Sequence, residues 1–144
     1  MTKDELVEVL RAKAPTIPLT LFEAKDLADA MQYAVDVTLK KRGCEDLMPT
    51  KGKEYGPNSE NGFPTMLDRN LAVPSLSDEE FALLEKTAKG SGINLLRSGL
   101  RDHLNGFDTS LTWADAFVTD TCTCIVNSNR EEVRIGTMIA EISI

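Results

Sequence analysis

Residues 20–43 constrain the fold of this chain most, because their pattern predicts one long amphipathic helix. Thr20 and Glu23 form the T-x-x-E pair that is typical of a helix N-terminus. Small and apolar residues then recur at spacings of three and four, which places them on one face: Ala24, Leu27, Ala28, Met31, Ala34, Val35 and Thr38. The basic run at 40–42 and the following Gly43 match a helix C-terminus. A second element can approach this alanine-rich face closely.

Four further segments predict helices: residues 2–14, 77–90, 91–104 and 112–118. Capping pairs of the same kind open the first two segments: Thr2 with Glu5, and Ser77 with Glu80. Apolar residues of the third segment share one helical face: Ile93, Leu96, Leu100 and Leu104. The fourth segment is a short helix in this interpretation, with Trp113 and Phe117 directed inward.

Residues 43–76 differ in kind, since glycine and proline interrupt them eight times within 34 residues. This density of breakers predicts a long irregular loop and argues against a long helix or a central strand. Seven large apolar residues argue against full disorder: Met48, Tyr55, Phe63, Met66, Leu67, Leu71 and Val73. These side chains either pin the loop to its own domain or form a surface that docks on a neighbouring protein.

The composition becomes β-branched after residue 120, so residues 121–126 suggest a strand and residues 127–129 a turn. Residues 133–135 and 138–144 could return as the partner strand, with a bulge at Gly136. In the alternative interpretation, Ser128 and Glu131 open a helix. Its apolar face would be Ile135, Met138, Ile139 and Ile142. The β-branched content favours the hairpin.

Together these patterns predict an α+β fold that is mainly α-helical. Residues 1–144 form a single domain of about five helices, with a C-terminal β-hairpin and with residues 43–76 as a long irregular segment. The alternative is an all-α fold. A chain of 144 residues that is 42% apolar is long enough for one domain with its own core.

The charge distribution limits the classes of partner. The net charge is −7, and residues 77–144 carry six basic and eleven acidic side chains. A chain of this acidity is a poor candidate for binding nucleic acid through its phosphates. No apolar run is long enough to span a membrane, and the N-terminus lacks the apolar run of a signal peptide. We therefore expect a cytoplasmic protein, or one in a particle assembled there.

The three cysteines and the single histidine are the residues best suited to metal or redox chemistry. Cys44, Cys122, Cys124 and His103 supply the ligand types of a tetrahedral zinc site, but the C-x-C spacing differs from the usual C-x-x-C. An odd number of cysteines is also a poor disulfide framework. Buried free thiols and a histidine without a catalytic role are the favoured interpretation, so no metal and no cofactor are predicted.

No combination of side chains forms a nucleophile, a base and an orienting group, so we expect a chain that is not an enzyme. Arg97 and Arg101, four residues apart, could clamp an anion, although surface ion pairs explain them better. The first functional hypothesis is a non-enzymatic assembly or interaction subunit of a larger complex, for example a component of a viral particle. Its partners would be proteins, among them copies of the same chain. Its expected partner-binding residues are Tyr55, Phe63, Met66, Leu67, Leu71, Ile142 and Ile144.

Two alternatives belong to other classes. An acidic inhibitor or immunity-type protein would cover a basic surface of its partner, in keeping with the acidic second half of the chain. A metal-binding protein or an enzyme would use Cys122, Cys124 and His103. Neither alternative rests on a specific motif.

Overall fold

The computed structural model describes residues 1–104 and 106–144. Its four α-helices within those residues are α1 (Lys3–Lys13), α2 (Leu27–Lys40), α3 (Asp78–Ala88) and α4 (Glu131–Ile139). Its six strands are β1 (Arg69–Ala72), β2 (Ile93–Leu96), β3 (Thr109–Ser110), β4 (Ala116–Val118), β5 (Thr123–Ile125) and β6 (Ile142–Ser143). Two 3-10 helices span Ala14–Thr16 and Leu100–His103. No helix of the described residues combines the length and the apolar character needed to cross a membrane.

Four strands form one parallel sheet in the order β2-β1-β3-β6. Arg69 lies opposite Ile93, Leu71 opposite Thr109, and Thr109 opposite Ile142. Parallel neighbours require long connections. Helix α3 makes the connection between β1 and β2, and the one between β3 and β6 contains α4 and a separate antiparallel hairpin of β4 and β5.

Helical elements cover both faces of the sheet, because successive residues of a strand point to opposite sides. Leu71 and Val73 pack with residues of α2 and α3 in the larger apolar cluster. Ala72, between them, belongs to a second cluster with Leu100 and Phe107, against which Ile135 of α4 packs. Both faces of β1 are thus buried, which is the usual state of a central parallel strand.

Gly136 allows α4 to lie directly on the sheet. A Cβ atom at this position would stand 3.0 Å from Cγ of Pro74 and 3.2 Å from Oγ of Ser110. Pro74 follows β1 and Ser110 ends β3. The bulge predicted at Gly136 is therefore wrong, and the glycine is the point of close contact between α4 and the two central strands.

Residues 43–66 fold back on themselves beside the sheet. Backbone bonds join Asp46 N to Pro64 O at 2.8 Å and Met66 N to Cys44 O at 2.8 Å. The Tyr55 hydroxyl donates to the Asp46 carboxylate at 2.8 Å. The segment thus satisfies much of its own hydrogen bonding within the chain.

The N-terminal helix is the least buried of the four α-helices. No residue of α1 is buried. Polar contacts join it to the rest of the chain: Arg11 pairs with Glu23, and Nζ of Lys13 lies 3.0 Å from Oδ1 of Asp120. Without these ion pairs, only the partly exposed apolar side chains of α1 would hold it to the rest of the chain.

The capping boxes predicted at Thr2 and Ser77 are confirmed, each with both reciprocal hydrogen bonds. The long helix predicted for residues 20–43 is shorter, Leu27–Lys40, because Asp26 caps it by accepting from Asp29 N at 2.8 Å. Phe22 lies before this helix and stacks on Tyr33 with ring centroids 4.0 Å apart.

The helix predicted for residues 91–104 is wrong. Ile93–Leu96 is the edge strand β2, and only Leu100–His103 is helical, as one 3-10 turn. Gly92 and Gly99 adopt left-handed backbone angles, φ 79° and φ 71°, which interrupt an α-helix. Ile93 and Leu96 had a helical spacing with Leu100, but these two residues belong to the strand that completes the parallel sheet.

The short helix predicted for residues 112–118 is also wrong, since Ala116–Val118 is strand β4. The C-terminal hairpin is not formed. Strand β5 pairs with β4, which precedes it, and Glu131–Ile139 is the helix of the alternative interpretation. Ile142, assigned to that helix, lies in β6. A mixed α and β fold is confirmed, and the all-α alternative is wrong.

The sequence interpretation also excluded a central strand from residues 43–76, yet β1 (Arg69–Ala72) lies between β2 and β3. Only four residues long and buried on both faces, β1 shows no alternation of polar and apolar residues. The glycines and prolines around β1 limit the length of the strand but do not prevent it from forming.

A charge cluster of Lys41, Arg69, Asp108 and Glu141, centred on the buried Asp108, lies at the amino ends of the strands. Asp108 precedes β3, and its side chain is 1% exposed. Its Oδ2 accepts from Asn70 N at 2.8 Å, while its Oδ1 lies 3.4 Å from Lys41 Nζ and 3.6 Å from Arg69 Nη1. Lys41 follows α2 and also pairs with Glu141, the residue before β6. The cluster therefore connects three strands and one helix.

Replacing Asp108 with alanine should lower the free energy of unfolding by about 3–5 kcal/mol, because Lys41 loses its buried counter-ion. Urea denaturation of the wild type and of Asp108→Ala measures the difference. Asp78→Ala is the matched control, since that carboxylate is 89% exposed in its pair with Arg97; its change should stay within about 1 kcal/mol. Equal losses in both variants would contradict the assigned role of Asp108.

Candidate functional site

The strand order reverses direction beside β1. The chain passes from β1 to β2 on one side and then places β3 on the other side of β1. The segments that leave the carboxyl ends of β1 and β3 consequently diverge, and in open parallel sheets ligands bind in the crevice at such a point. Ser75 and Leu76 follow β1 here, and Leu111, Thr112 and Trp113 follow β3.

A crevice of about 400 Å³ opens at this place. Its lining comes from the segment after β1, the segment after β3, and the connection from β5 into α4. The lining residues are Ser75, Trp113, Asp115, Val126, Asn127, Asn129, Arg130 and Val133. The crevice combines hydroxyl, amide, carboxylate and guanidinium groups with one aromatic wall.

Trp113, the only tryptophan of the chain, forms that aromatic wall. The residue is 54% exposed, yet both of its nitrogens are hydrogen-bonded. The backbone N donates to Ser75 Oγ at 3.2 Å, and Nε1 lies 3.1 Å from each carboxylate oxygen of Glu80. Glu80 is fixed in turn, because Ser77 N donates to it in the capping box of α3. The indole is thus oriented before any ligand arrives.

Asp115 attaches the β4–β5 hairpin to the crevice. Its backbone N donates to Ile125 O at 2.8 Å, and its carboxylate accepts from Asn127 N at 2.6 Å. Arg134 donates to Ser128 O at 2.6 Å, which fixes the same connection from the side of α4. Asn127, Asn129 and Arg130 are exposed at the rim. Hydrogen bonds therefore shape the polar part of the crevice lining.

A second, apolar cavity of about 110 Å³ also borders Trp113. Its lining residues are Leu27, Ala30, Met31, Leu76, Leu111, Thr112 and Trp113. Three of these belong to α2, and the rest follow β1 and β3. Trp113 is therefore part of the wall of both spaces.

The seven expected partner-binding residues differ in their burial. Leu71 lies in the core, and Met66 is buried in the folded-back segment. Ile144 packs against the larger apolar cluster, and Tyr55 bonds to Asp46. Side chains accessible to another protein remain at Phe63, which is 38% exposed, Leu67 at 58% and Ile142 at 38%. Phe63 and Leu67 lie before β1, and Ile142 is in the edge strand β6.

The candidate metal ligands do not converge. No group of three or more His, Cys, Asp and Glu side chains is placed to hold a metal ion in residues 1–104 and 106–144. Cys44 is buried next to Asp108, whereas Cys124 is exposed on the hairpin. His103 is half-buried at the end of its 3-10 turn. These positions give the hypothesis of a Cys/His metal site no support.

Both arginines considered as an anion clamp have partners within the chain. Arg97 donates to Asp78 at 2.9 Å and to Leu76 O at 3.1 Å. Arg101 pairs with Glu131, and this pair lowers the pKa of the Glu131 carboxyl. Neither guanidinium lines the crevice.

The crevice was missed because its walls come from three separated segments. The sequence interpretation directed Trp113 inward from a helix, although the turn at residues 127–129 was expected. The single tryptophan and the turn-forming residues Asn127 and Asn129 were the available signals. They are far apart in the sequence, so they indicate a site only once the fold brings them together.

Comparison of the chain with protein-family models, with curated proteins and with solved structures yields no match.

The cysteines should differ sharply in reactivity. Burial, reinforced by the nearby Asp108 carboxylate, raises the pKa of the Cys44 thiol to about 12, so this group stays protonated at neutral pH. We expect Ellman's reagent to modify Cys124 rapidly in the folded protein and Cys44 only after unfolding in urea. Cys124→Ser should remove the fast phase and Cys44→Ser should leave it unchanged. Rapid native labelling of Cys44 would contradict its assigned burial.

Proposed function

We propose that this chain binds a small, polar, hydroxylated molecule in the crevice beside Trp113. The observation that carries the proposal is a fixed indole wall at the point where the order of a parallel sheet reverses. This position is the usual ligand site of open α/β sheets. A volume of about 400 Å³ lies in the range of small-molecule sites.

The groups around the crevice favour a neutral ligand with several hydroxyls. Asn127 and Asn129 carry amides, each with donors and an acceptor, and Ser75 carries a hydroxyl. Asp115 and Arg130 contribute one acidic and one basic side chain, so no single charge dominates the lining. An indole face complements the C–H face of a ring. Hydroxyl groups on the other side of such a ring would meet the amides and the carboxylate.

The proposal concerns binding. The expectation that the chain is not an enzyme stays a prediction. The hypothesis of an acidic inhibitor rests on charge alone and also stays a prediction.

Nuclear magnetic resonance of the ¹⁵N-labelled protein tests the site directly, because one tryptophan gives one indole N–H signal. Titration with methyl β-D-glucoside and with myo-inositol should move this signal saturably, together with the side-chain amides of Asn127 and Asn129. Asn129→Ala should weaken binding about fivefold or more, the equivalent of at least one lost hydrogen bond. Asn58→Ala, an exposed amide outside the crevice, is the control and should bind as the wild type does. No saturable shift with either probe would overturn the proposal.

A second candidate function is the assembly subunit, and the edge strand β6 favours it. Ile142 N donates to Asp108 O just before β3, and Ile144 N donates to Ser110 O in β3. The backbone groups of Ser143, one residue out of phase, therefore point away from the sheet. A groove of about 380 Å³ beside this edge is lined by Pro18, Leu19, Thr20, Tyr33, Val37, Ile142, Ser143 and Ile144. An open edge with an adjacent groove can accept a strand from a second copy of the chain.

Ser143→Pro tests strand addition, because proline removes the outward N–H and is tolerated at a sheet edge. If β6 pairs with a second copy, native mass spectrometry should show wild-type dimers that increase with concentration, and the proline variant should remain monomeric. Ser143→Ala keeps the N–H and should dimerise as the wild type does. A monomeric wild type at every concentration would rule out self-pairing through β6.

A further inference from the structure

The crevice and the apolar cavity are adjacent, because neighbouring residues of the same two segments line them. Ser75 lines the crevice and Leu76 the cavity; Thr112 lines the cavity and Trp113 both spaces. The segments after β1 and β3 therefore contribute residues to both spaces, and Trp113 borders each of them.

The apolar cavity persists because a small residue of α2 faces it. Ala30 lies among Leu27, Met31 and Leu111 and leaves the space that a longer side chain would occupy. The lining offers few polar groups to hold water: one threonine, and the indole whose N–H is already bonded to Glu80. A cavity with so few polar partners is better suited to hydrocarbon than to water.

We propose that the ligand is amphipathic, with its hydroxylated head in the crevice and a short alkyl group in the apolar cavity. This inference rests on the proposed function, since the head is the part that the crevice would bind. The indole would contact both parts at their junction. A 150 Å³ apolar cavity accommodates benzene, so the cavity of about 110 Å³ sets the alkyl group at about four carbons.

A homologous series of probes tests the length of the alkyl group: methyl, propyl, butyl and hexyl β-D-glucosides, titrated against the indole signal. Each methylene buried in the cavity should tighten binding about fourfold. The gain should stop near butyl, where the cavity is full, and hexyl should bind no better than butyl.

A variant that fills the cavity distinguishes binding of the alkyl tail from binding of the hydroxylated head. Ala30→Leu should abolish the gain from methyl to butyl and leave binding of the methyl glucoside unchanged. Ala82→Leu adds the same side chain at an exposed position of α3 and should retain the full gain. Ala30→Val fills less of the space and should reduce the gain partly, which keeps the test available if leucine prevents folding. Dispersed amide signals verify that each variant is folded.

The outcomes distinguish the two proposals. Equal affinities across the series would overturn the alkyl cavity and leave the crevice as the ligand site. A gain that continues through hexyl, or that persists in Ala30→Leu, would show that the tail binds elsewhere and would also overturn it. Absence of binding by every glucoside would remove the proposed ligand class as well.

Discussion

The buried carboxylate of Asp108 is the interaction on which the rest of the structure depends. It accepts the backbone N–H of Asn70 in β1 and lies close to the cations of Lys41 and Arg69. Lys41 continues the cluster to Glu141 before β6. A charge withdrawn from water in this way is tolerated only with its partners in place, so the cluster specifies how α2, β1, β3 and β6 meet.

This cluster lies at the amino ends of the strands, whereas the candidate ligand site lies at their carboxyl ends. The strands are short and each is held in register by its neighbours. Contacts at their amino ends therefore also fix where their carboxyl ends lie. Gly136 contributes from the opposite face by bringing α4 against Pro74 and Ser110, the residues that lead into the crevice. The charge cluster at the amino ends of the strands and the close packing of α4 on one face thus support the crevice, whose own polar groups are exposed.

Local chemistry was sufficient to predict some elements and insufficient for others. The capping boxes of α1 and α3 depend on residues three apart, so Thr2, Glu5, Ser77 and Glu80 could be recognised directly. Ile93, Leu96 and Leu100 fitted a helical face, but the same residues complete an edge strand and a 3-10 turn. Strands of two to four residues are too short for a periodic pattern, and their partners lie far away in the chain. Long-range pairing therefore decided what the local pattern left ambiguous.

By itself the sequence determined the helices α1, α2 and α3, the mixed α and β class and the acidic surface, because these follow from capping, periodicity and charge. Only the tertiary structure decided that the apolar run containing Leu71 is a central strand and that residues 131–139 form a helix. The candidate site belongs to this second group: Ser75, Trp113 and Asn129 acquire a common role only where the strand order reverses. A parallel sheet joins residues through backbone bonds between distant segments, and no single stretch of the chain contains that information.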